Sequence, residues 1–350
     1  MVFMRGLFIS AVLVSMAALA QQPQQPAPAK PSAEKPEAAP IKVQVNEVIV
    51  PVTVTDDKGR FVSNLEAKDF RILEDGREQN IAYFNRERNQ PVVVGLLLDL
   101  SNTSRLHWTK FQESATELVL NLLTYEREDR YSGFLVTYGN DAELAVNTTN
   151  DPEKIVEKIR KLKPGGASTL FDAIYLACTQ HKLVRGEPIE PRRVLVVIGD
   201  GNDNNSKHTL NQVVEIAQRN LVTIYGMSTK AFGFQSQGED ALIRLTQETG
   251  GRVVYPLEGV YADVAGFLST PSDEGNYALK VGTGGYAAAI AAGMFNAIAN
   301  IAGEVTTQYI LRYVPKNSDS PRQFRNLSVE VKDLPNVKVR YRKGYYPYAP

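Results

Sequence analysis

The sequence predicts an α/β fold: a doubly wound, mostly parallel sheet, with a second, smaller β domain formed by the N- and C-terminal segments. Three observations predict it. Residues 92–256 alternate unbroken apolar runs with amphipathic helical stretches, the pattern of a sheet wound on both faces. The run Val92-Val93-Val94-Gly95-Leu96-Leu97-Leu98 ends abruptly in Asp99, as suits a strand buried on both faces with a ligand site beyond its carboxyl end. The flanking segments 43–90 and 304–350 instead carry short alternating runs broken by turn clusters, the mark of strands with one solvated face.

Composition bounds the function. The 350 residues suffice for about two domains after any processed segment is removed. With 39 basic and 39 acidic residues, nothing points to a nucleic-acid partner. One cysteine, Cys178, excludes an intrachain disulfide framework and a zinc cluster. Beside Leu176 and Ala177 it reads as a buried, inert thiol. His107, His181 and His208 are scattered, with no pair at metal-ligand spacing.

In chain order, residues 1–20 read as a secretory signal. Arg5 supplies the positive start, Leu7 to Leu19 is apolar, and Ala18-Leu19-Ala20 is a small-x-small cleavage site. The apolar part is shorter than the roughly 20 residues a membrane span needs. A secreted or periplasmic protein cleaved after Ala20 is expected, with no transmembrane span in the mature chain. Residues 21–42, rich in Pro, Gln and Ala, form an extended linker or spacer.

From Val43 the pattern becomes strand alternation through Val45, Val48, Val50, Val52 and Val54, then the turn Asp56-Asp57-Lys58-Gly59. Asp69 to Leu73 ends in the turn Glu74-Asp75-Gly76, and Ile81 to Phe84 completes the segment. Turn chemistry explains these acidic residues better than Ca²⁺ binding. So short a segment holds no secure core of its own. It is expected to pack with residues 304–350, whose strands are Thr306–Val314, Phe324–Val331 and Val337–Tyr345. The closing Arg340-Tyr341-Arg342-Lys343-Gly344-Tyr345-Tyr346 reads as a strand with solvated Arg and Lys and half-buried Tyr.

Between these segments, 91–303, the strand candidates are Val92–Asp99, Tyr131–Tyr138, Ala142–Val146, Arg193–Gly199, Val222–Met227 and Arg252–Tyr255. Helical faces fall at Phe111, Ala115, Leu118, Val119 and Leu122, and again at Ile155 and Ile159. Later faces carry Ala173, Leu176 and Ala177, then Val213, Val214 and Ala217. Gly139-Asn140-Asp141 is too short for a crossover helix, so Ala142–Val146 should be an antiparallel neighbour. Residues 257–285 read as irregular, with a hinge or loop at Gly282, Gly284 and Gly285. Tyr286–Ala302 reads as an Ala-rich helix, too short and too polar at Asn296 and Asn300 to span a bilayer.

Three loops carry chemistry. Asp99 is followed by Ser101 and Thr103, a carboxylate and two hydroxyls from one loop. Helix capping explains these hydroxyls on their own, but they are also hard oxygen donors of the kind Mg²⁺ prefers. Gly165-Gly166-Ala167-Ser168-Thr169 places two more hydroxyls just ahead of a helix. Asp200, in Gly199-Asp200-Gly201-Asn202-Asp203, tops the apolar strand Val194–Ile198 as Asp99 tops its own. Two such carboxylates, with no basic residue between them, would repel unless a cation sits among them.

This constellation resembles the von Willebrand factor type A family and its metal-ion-dependent adhesion site, written Asp-x-Ser-x-Ser, then Thr, then Asp. Asp99, Ser101 and Thr103 match the first element, with Thr in place of the last Ser. The family's spacing puts its Thr at Ser168, with Thr169 adjacent, and both stay open as the second-loop ligand. Asp200 matches the third element. Val54-Thr55-Asp56 to Glu74-Asp75-Gly76, Leu245 to Tyr255, Gln308 to Leu311 and Arg342 to Tyr346 are similar to a secreted bacterial group of such proteins, known chiefly from acidobacteria.

The resemblance implies a Rossmann-like domain holding Mg²⁺ (or Mn²⁺ or Ca²⁺) through Asp99, Ser101, Thr103, Ser168 or Thr169, and Asp200. It implies one coordination position left for an Asp or Glu of a protein ligand, and therefore binding without catalysis. A metal-dependent phosphoester hydrolase and an envelope scaffold with a vestigial site are the alternatives. Against the hydrolase, Leu100-Ser101 follows Asp99 where one common phosphatase group has a second Asp. No feature sets an oligomeric state.

Overall fold

A computed structural model of the chain describes residues 47–86, 91–105, 108–124, 130–180, 192–230, 236–257, 274–316 and 323–347, with residues 274–287 described as backbone. The signal and linker readings, His107 and His181 lie outside the described residues.

The central sheet has six strands in the order β10-β9-β8-β5-β6-β7. They are β5 (Val92–Asp99), β6 (Tyr131–Tyr138), β7 (Ala142–Thr149), β8 (Arg192–Gly199), β9 (Val222–Ser228) and β10 (Val253–Val254). All pairings are parallel except β6 with β7, as the three-residue connection requires. Strand β7 is longer than its apolar part, continuing through Asn147-Thr148-Thr149 as a half-exposed edge with register shifts. An edge strand needs apolar residues on one side alone. Strand β10 shrinks to two residues at the opposite edge.

Alternation of side chains along β5 feeds two cores. Val92, Val94, Leu96 and Leu98 join α1 (Trp108–Leu122), α2 (Pro152–Lys161) and α6 (Glu274–Thr306). Val93 and Leu97 join α3 (Leu170–Thr179), α4 (Leu210–Arg219) and α5 (Gln237–Thr249). Local signals start and stop these helices: Asp151 caps α2 ahead of Pro152. Thr209 and Gln212 form a capping box on α4, and Ser236 caps α5, which stops at left-handed Gly250.

Helix α6 departs from the expected hinge. It is continuous from Glu274, so the Gly282, Gly284 and Gly285 stretch is helical. Elongation from an Ala-rich segment adds a hydrogen bond per residue and outweighs the weak helix propensity of single glycines. The longer helix also meets the membrane criterion that the shorter reading failed: Ala288–Thr306 is long and apolar enough to cross a bilayer by length and composition. Here its Ile290, Met294, Ala297, Ile298, Ile301 and Val305 pack into the core with α1 and α2.

The terminal segments build two further four-stranded sheets, β13-β1-β11-β4 and β14-β12-β2-β3. From the first segment come β1 (Val48–Thr55), β2 (Phe70–Glu74), β3 (Arg77–Gln79) and β4 (Ile81–Asn85). The last segment supplies β11 (Tyr309–Tyr313), β12 (Arg325–Val331), β13 (Lys338–Arg340) and β14 (Gly344–Tyr345). Strand β1 pairs antiparallel with β11 and β13, and β2 pairs with β12. Neither segment has a core alone. Together they share one, built on Val50, Val52, Phe70, Ile72, Tyr309, Leu311, Leu327 and Val329. Asp56 Oδ1 accepts the Lys58 and Arg60 amides, and Asp75 Oδ1 accepts Asn326 N–H, so these acids serve turns.

Buried polar contacts join this sandwich to the central sheet. Gln308 Nε2 donates to Thr53 Oγ1 at 3.1 Å and to the Tyr225 hydroxyl at 3.0 Å. Glu304, fully buried, accepts both Arg252 and Arg340. Arg342 departs from the expected solvated strand: it is 4% exposed, because the chain beside it packs against Gly250 at the end of α5.

Candidate metal centre

Strand β5 runs to β6 on one side and neighbours β8 on the other. Connections leave in opposite directions from this point, which makes it the crevice where open α/β sheets bind ligands. Asp99 stands at the carboxyl end of β5, between Tyr138 of β6 and Gly199 of β8. The Ser101 amide donates to its Oδ1 at 2.7 Å, folding the loop back on the strand. A 3-10 turn, Asn102–Arg105, follows and brings the Ser101 and Thr103 hydroxyl oxygens to 2.8 Å from each other.

The second loop is tied to the first by backbone bonds from Gly165 N to Leu100 O and from Asn102 N to Gly166 O. Gly166 takes φ +107 against the Asn140 side chain, where a Cβ would lie 2.5 Å from Asn140 Oδ1. That left-handed conformation favours glycine, and a larger residue would also push the Asn140 side chain aside. The third loop closes on the second: Ser168 Oγ donates to the Asn202 carbonyl at 2.6 Å. Ser168 N–H in turn donates to Asn204 Oδ1 at 2.9 Å. Asp203 Oδ2 accepts the Phe171 amide at the start of α3, and Asn205 Nδ2 donates to Asn140 O.

Thus the structure brings the three loops together. Asp99, Ser101, Ser168, Thr169 and Asp200 are all buried, and Thr103 is exposed. Burial raises the Asp99 carboxyl above the usual carboxylate range, and the charge of nearby Asp200 adds to the shift against the Ser101 hydrogen bonds. Burial also pushes the Tyr138 hydroxyl well up, helped by the charges of Asp99, Asp200 and Asp203.

One expectation is corrected. The two strand-end carboxylates are expected to have no basic residue between them, yet Lys230 Nζ lies 3.1 Å from Asp200 Oδ2. Lys230 is the second residue past β9, the strand beside β8, so sheet order delivers a cation that chain order hides.

The donor set fits a hard divalent ion. Asp99 Oδ2 and Thr169 Oγ1 are buried with no hydrogen-bond partner, the sort of orphaned oxygens a cation or its water satisfies. Ser168 spends its proton on a carbonyl, which leaves its lone pairs free to accept or ligate. No cluster of three or more His, Cys, Asp or Glu suited to a metal occurs among the described residues. A centre here therefore rests on hydroxyls and two carboxylates, a set suited to Mg²⁺ or Mn²⁺ and poor for soft metals. Trp108 lines a small cavity together with Asp99, Ser104 and Thr229.

Sequence reasoning missed Lys230 and the supporting Asn140, Asn202, Asn204 and Asp203. Lys230 carried a usable signal, since it stands just past the end of a buried parallel strand.

The family model described as the von Willebrand factor type A domain matches residues 94–259. Those residues are a von Willebrand factor type A (VWA) domain. Three solved structures are distantly similar to the chain. The VWA domain of SpRpn10 is 14% identical, with 47% of this chain and 87% of that chain covered and a TM-score of 0.37. BatB from Bacteroides thetaiotaomicron is 15% identical, covering 55% and 98%, with a TM-score of 0.36. Proximal thread matrix protein 1 from the mussel byssus, with a zinc-occupied MIDAS motif, is 14% identical over 49% and 43%, with a TM-score of 0.40. No curated protein sequence matches the chain.

Proposed function

We propose that the VWA domain binds a protein ligand through a divalent cation, Mg²⁺ or in its place Mn²⁺ or Ca²⁺. The ligands would be Asp99, Ser101, Thr103, Ser168 and Asp200, with Thr169 beside them. One observation carries the proposal. Two buried carboxylates top neighbouring regions of one parallel sheet, with an orphaned Asp99 Oδ2 and hydroxyls from two loops around them. When bound, the ion would supply net positive charge to an incoming Asp or Glu, because neutral hydroxyls make up much of the set.

The remaining residues orient this set. Asn202 N–H and Nδ2 donate to the two Asp200 oxygens at 3.0 and 2.7 Å, which aims the carboxylate. Asn204 and Asn202 together fix Ser168. These contacts serve ligand geometry, and among the described residues the hydroxyls face oxygen partners without a contacting base, which supports binding over turnover. Secretion is part of the proposal, supported by the signal pattern of residues 1–20; a partner outside the cytoplasm follows from it.

Calorimetric titration of the purified protein with MgCl₂ and MnCl₂ tests the metal, and pull-down in Mg²⁺ against chelator tests the ligand. Saturable heat that Asp99→Ala abolishes, with the fold kept by circular dichroism, is the expected result. Equal retention of partners in both buffers would count against adhesion through the ion.

A further inference from the structure

Strand β6 ends in Tyr138, in register with Asp99 at the end of β5. In-register residues of neighbouring parallel strands point to the same face of a sheet. The Tyr138 ring belongs to the core on the α3 side, with Leu97, Leu170 and Ala173. Its hydroxyl reaches past the end of β5 to Gly199 of β8. Any side chain at that position would collide with the hydroxyl. Its Cβ would also lie 2.8 Å from Asp99 Cβ and 3.1 Å from Asp99 Oδ2. The phenol hydroxyl and the carboxylate therefore share the space that Gly199 leaves open.

That hydroxyl is buried and makes no hydrogen bond among the described residues. Tyr138 is 1% exposed, so bulk solvent does not serve it. A phenylalanine would fill the same part of the core without burying a donor. The oxygen adds a desolvation cost and nothing to packing, which points to a use in the site above it.

Burial, and then the charges of Asp99, Asp200 and Asp203, raise this hydroxyl, which places three carboxylates around it. Two of them are already served. Asp200 takes the Asn202 amide, the Asn202 side chain and Lys230. Asp203 takes the Phe171 and Ser206 amides and the Ser206 hydroxyl. Asp99 accepts the Ser101 amide at Oδ1, while its Oδ2 is buried with no partner. An ionised carboxylate has about four acceptor positions, more than one amide and one cation fill. An orphaned donor and an orphaned acceptor thus flank a single glycine.

Resting on the metal reading above, we propose that Tyr138 is a positioning residue of the metal centre. Its hydroxyl donates to Asp99 Oδ2 in the ion-loaded protein and so fixes that carboxylate against rotation.

Tyr138→Phe tests this on the full chain, because it deletes one oxygen and keeps the ring that fills the core. Mn²⁺ followed by calorimetry should bind the variant about tenfold more weakly, the loss expected when a group that orients a metal ligand is removed. In chelator the variant should melt at the wild-type temperature or above it, since a buried donor without a partner is gone. A hydroxyl with a merely structural role would do the opposite, lowering the melting temperature in chelator and leaving Mn²⁺ affinity intact. Ultraviolet difference absorption adds a readout on the wild-type protein. Mn²⁺ should shift tyrosine absorption to the red, as a phenol donating to a carboxylate does, and Tyr138→Phe should abolish that shift. Saturable wild-type heat that is undiminished in Tyr138→Phe overturns this proposal alone. No heat with the wild-type protein overturns the metal reading and this proposal with it. Should Tyr138→Phe fail to fold, the wild-type spectrum decides: a red shift that saturates with the calorimetric curve supports the assignment, and its absence overturns it.

Discussion

The ammonium of Lys230 sits 3.1 Å from Oδ2 of Asp200, whose side chain is 1% exposed. This flexible side chain, more than a third exposed, places a unit of positive charge where two buried carboxylates repel. On the proposed function it occupies the Asp200 oxygen that a bound cation would use, and would have to leave before the ion arrives.

Lys230→Met therefore should tighten Mn²⁺ and Mg²⁺ binding, by about tenfold after allowance for solvent screening of an exposed ammonium. In chelator the same variant should melt earlier than wild type, since Asp99 and Asp200 lose their neutralising partner. Calorimetry and thermal melts with and without metal read both effects. Unchanged affinity would show that Lys230 does not compete.

Asp99→Asn should lose divalent binding by about a hundredfold or more while retaining the Ser101 amide bond to its side-chain oxygen. Burial already disfavours the Asp99 charge. The variant in chelator should accordingly match or exceed wild-type stability at neutral pH. For the second loop, Ser168→Ala should weaken metal binding more than Thr169→Val, because the Ser168 proton is committed to Asn202. A reversed order would assign the ligand to Thr169.

Asp172 predicts a pH dependence. Burial pushes its carboxyl up, but the His208 ring at 2.6 Å and the Lys207 and His208 amides outweigh this, and the net shift is downward. An acid held lower in the fold than unfolded adds stability above its unfolded value near 3.8, lost as pH falls through the folded value. Urea midpoints measured from pH 6 down to 3 should fall less steeply in Asp172→Asn than in wild type. Parallel slopes would remove Asp172 from acid sensitivity.

Cys178 should resist thiol reagents. Desolvation lifts its thiol to about 12, and the side chain packs among Leu170, Ile174 and Leu195. A chromogenic disulfide at pH 8 should label none of it in the native protein and one equivalent in denaturant. Rapid native labelling would mean that α3 opens readily.

Much of the centre could be read from the chain because its two carboxylates each end an apolar run. The buried part of a strand covered on both faces is apolar, so a charge at its end stands out, at Asp99 on the last position of β5 and at Asp200 just past β8. The seam was not readable this way. Arg342 sits in a basic, aromatic run that reads as solvated, and its burial depends on how the loop beyond β13 meets Gly250. Gly282, Gly284 and Gly285 likewise read as a hinge, yet continuous helix growth from the Ala-rich stretch carries through them.

The sequence by itself determined the doubly wound sheet, the antiparallel partnership of Ala142–Val146 with its predecessor, and the joining of the two terminal β segments. Those follow from periodicity, connection length and the need of a short segment for a shared core, all local or additive along the chain. Tertiary structure alone decided that Lys230 faces Asp200 and that Arg192 and Arg342 share one cleft. Charge pairing depends on distance in space, and sheet order sets those distances between residues that the chain keeps far apart.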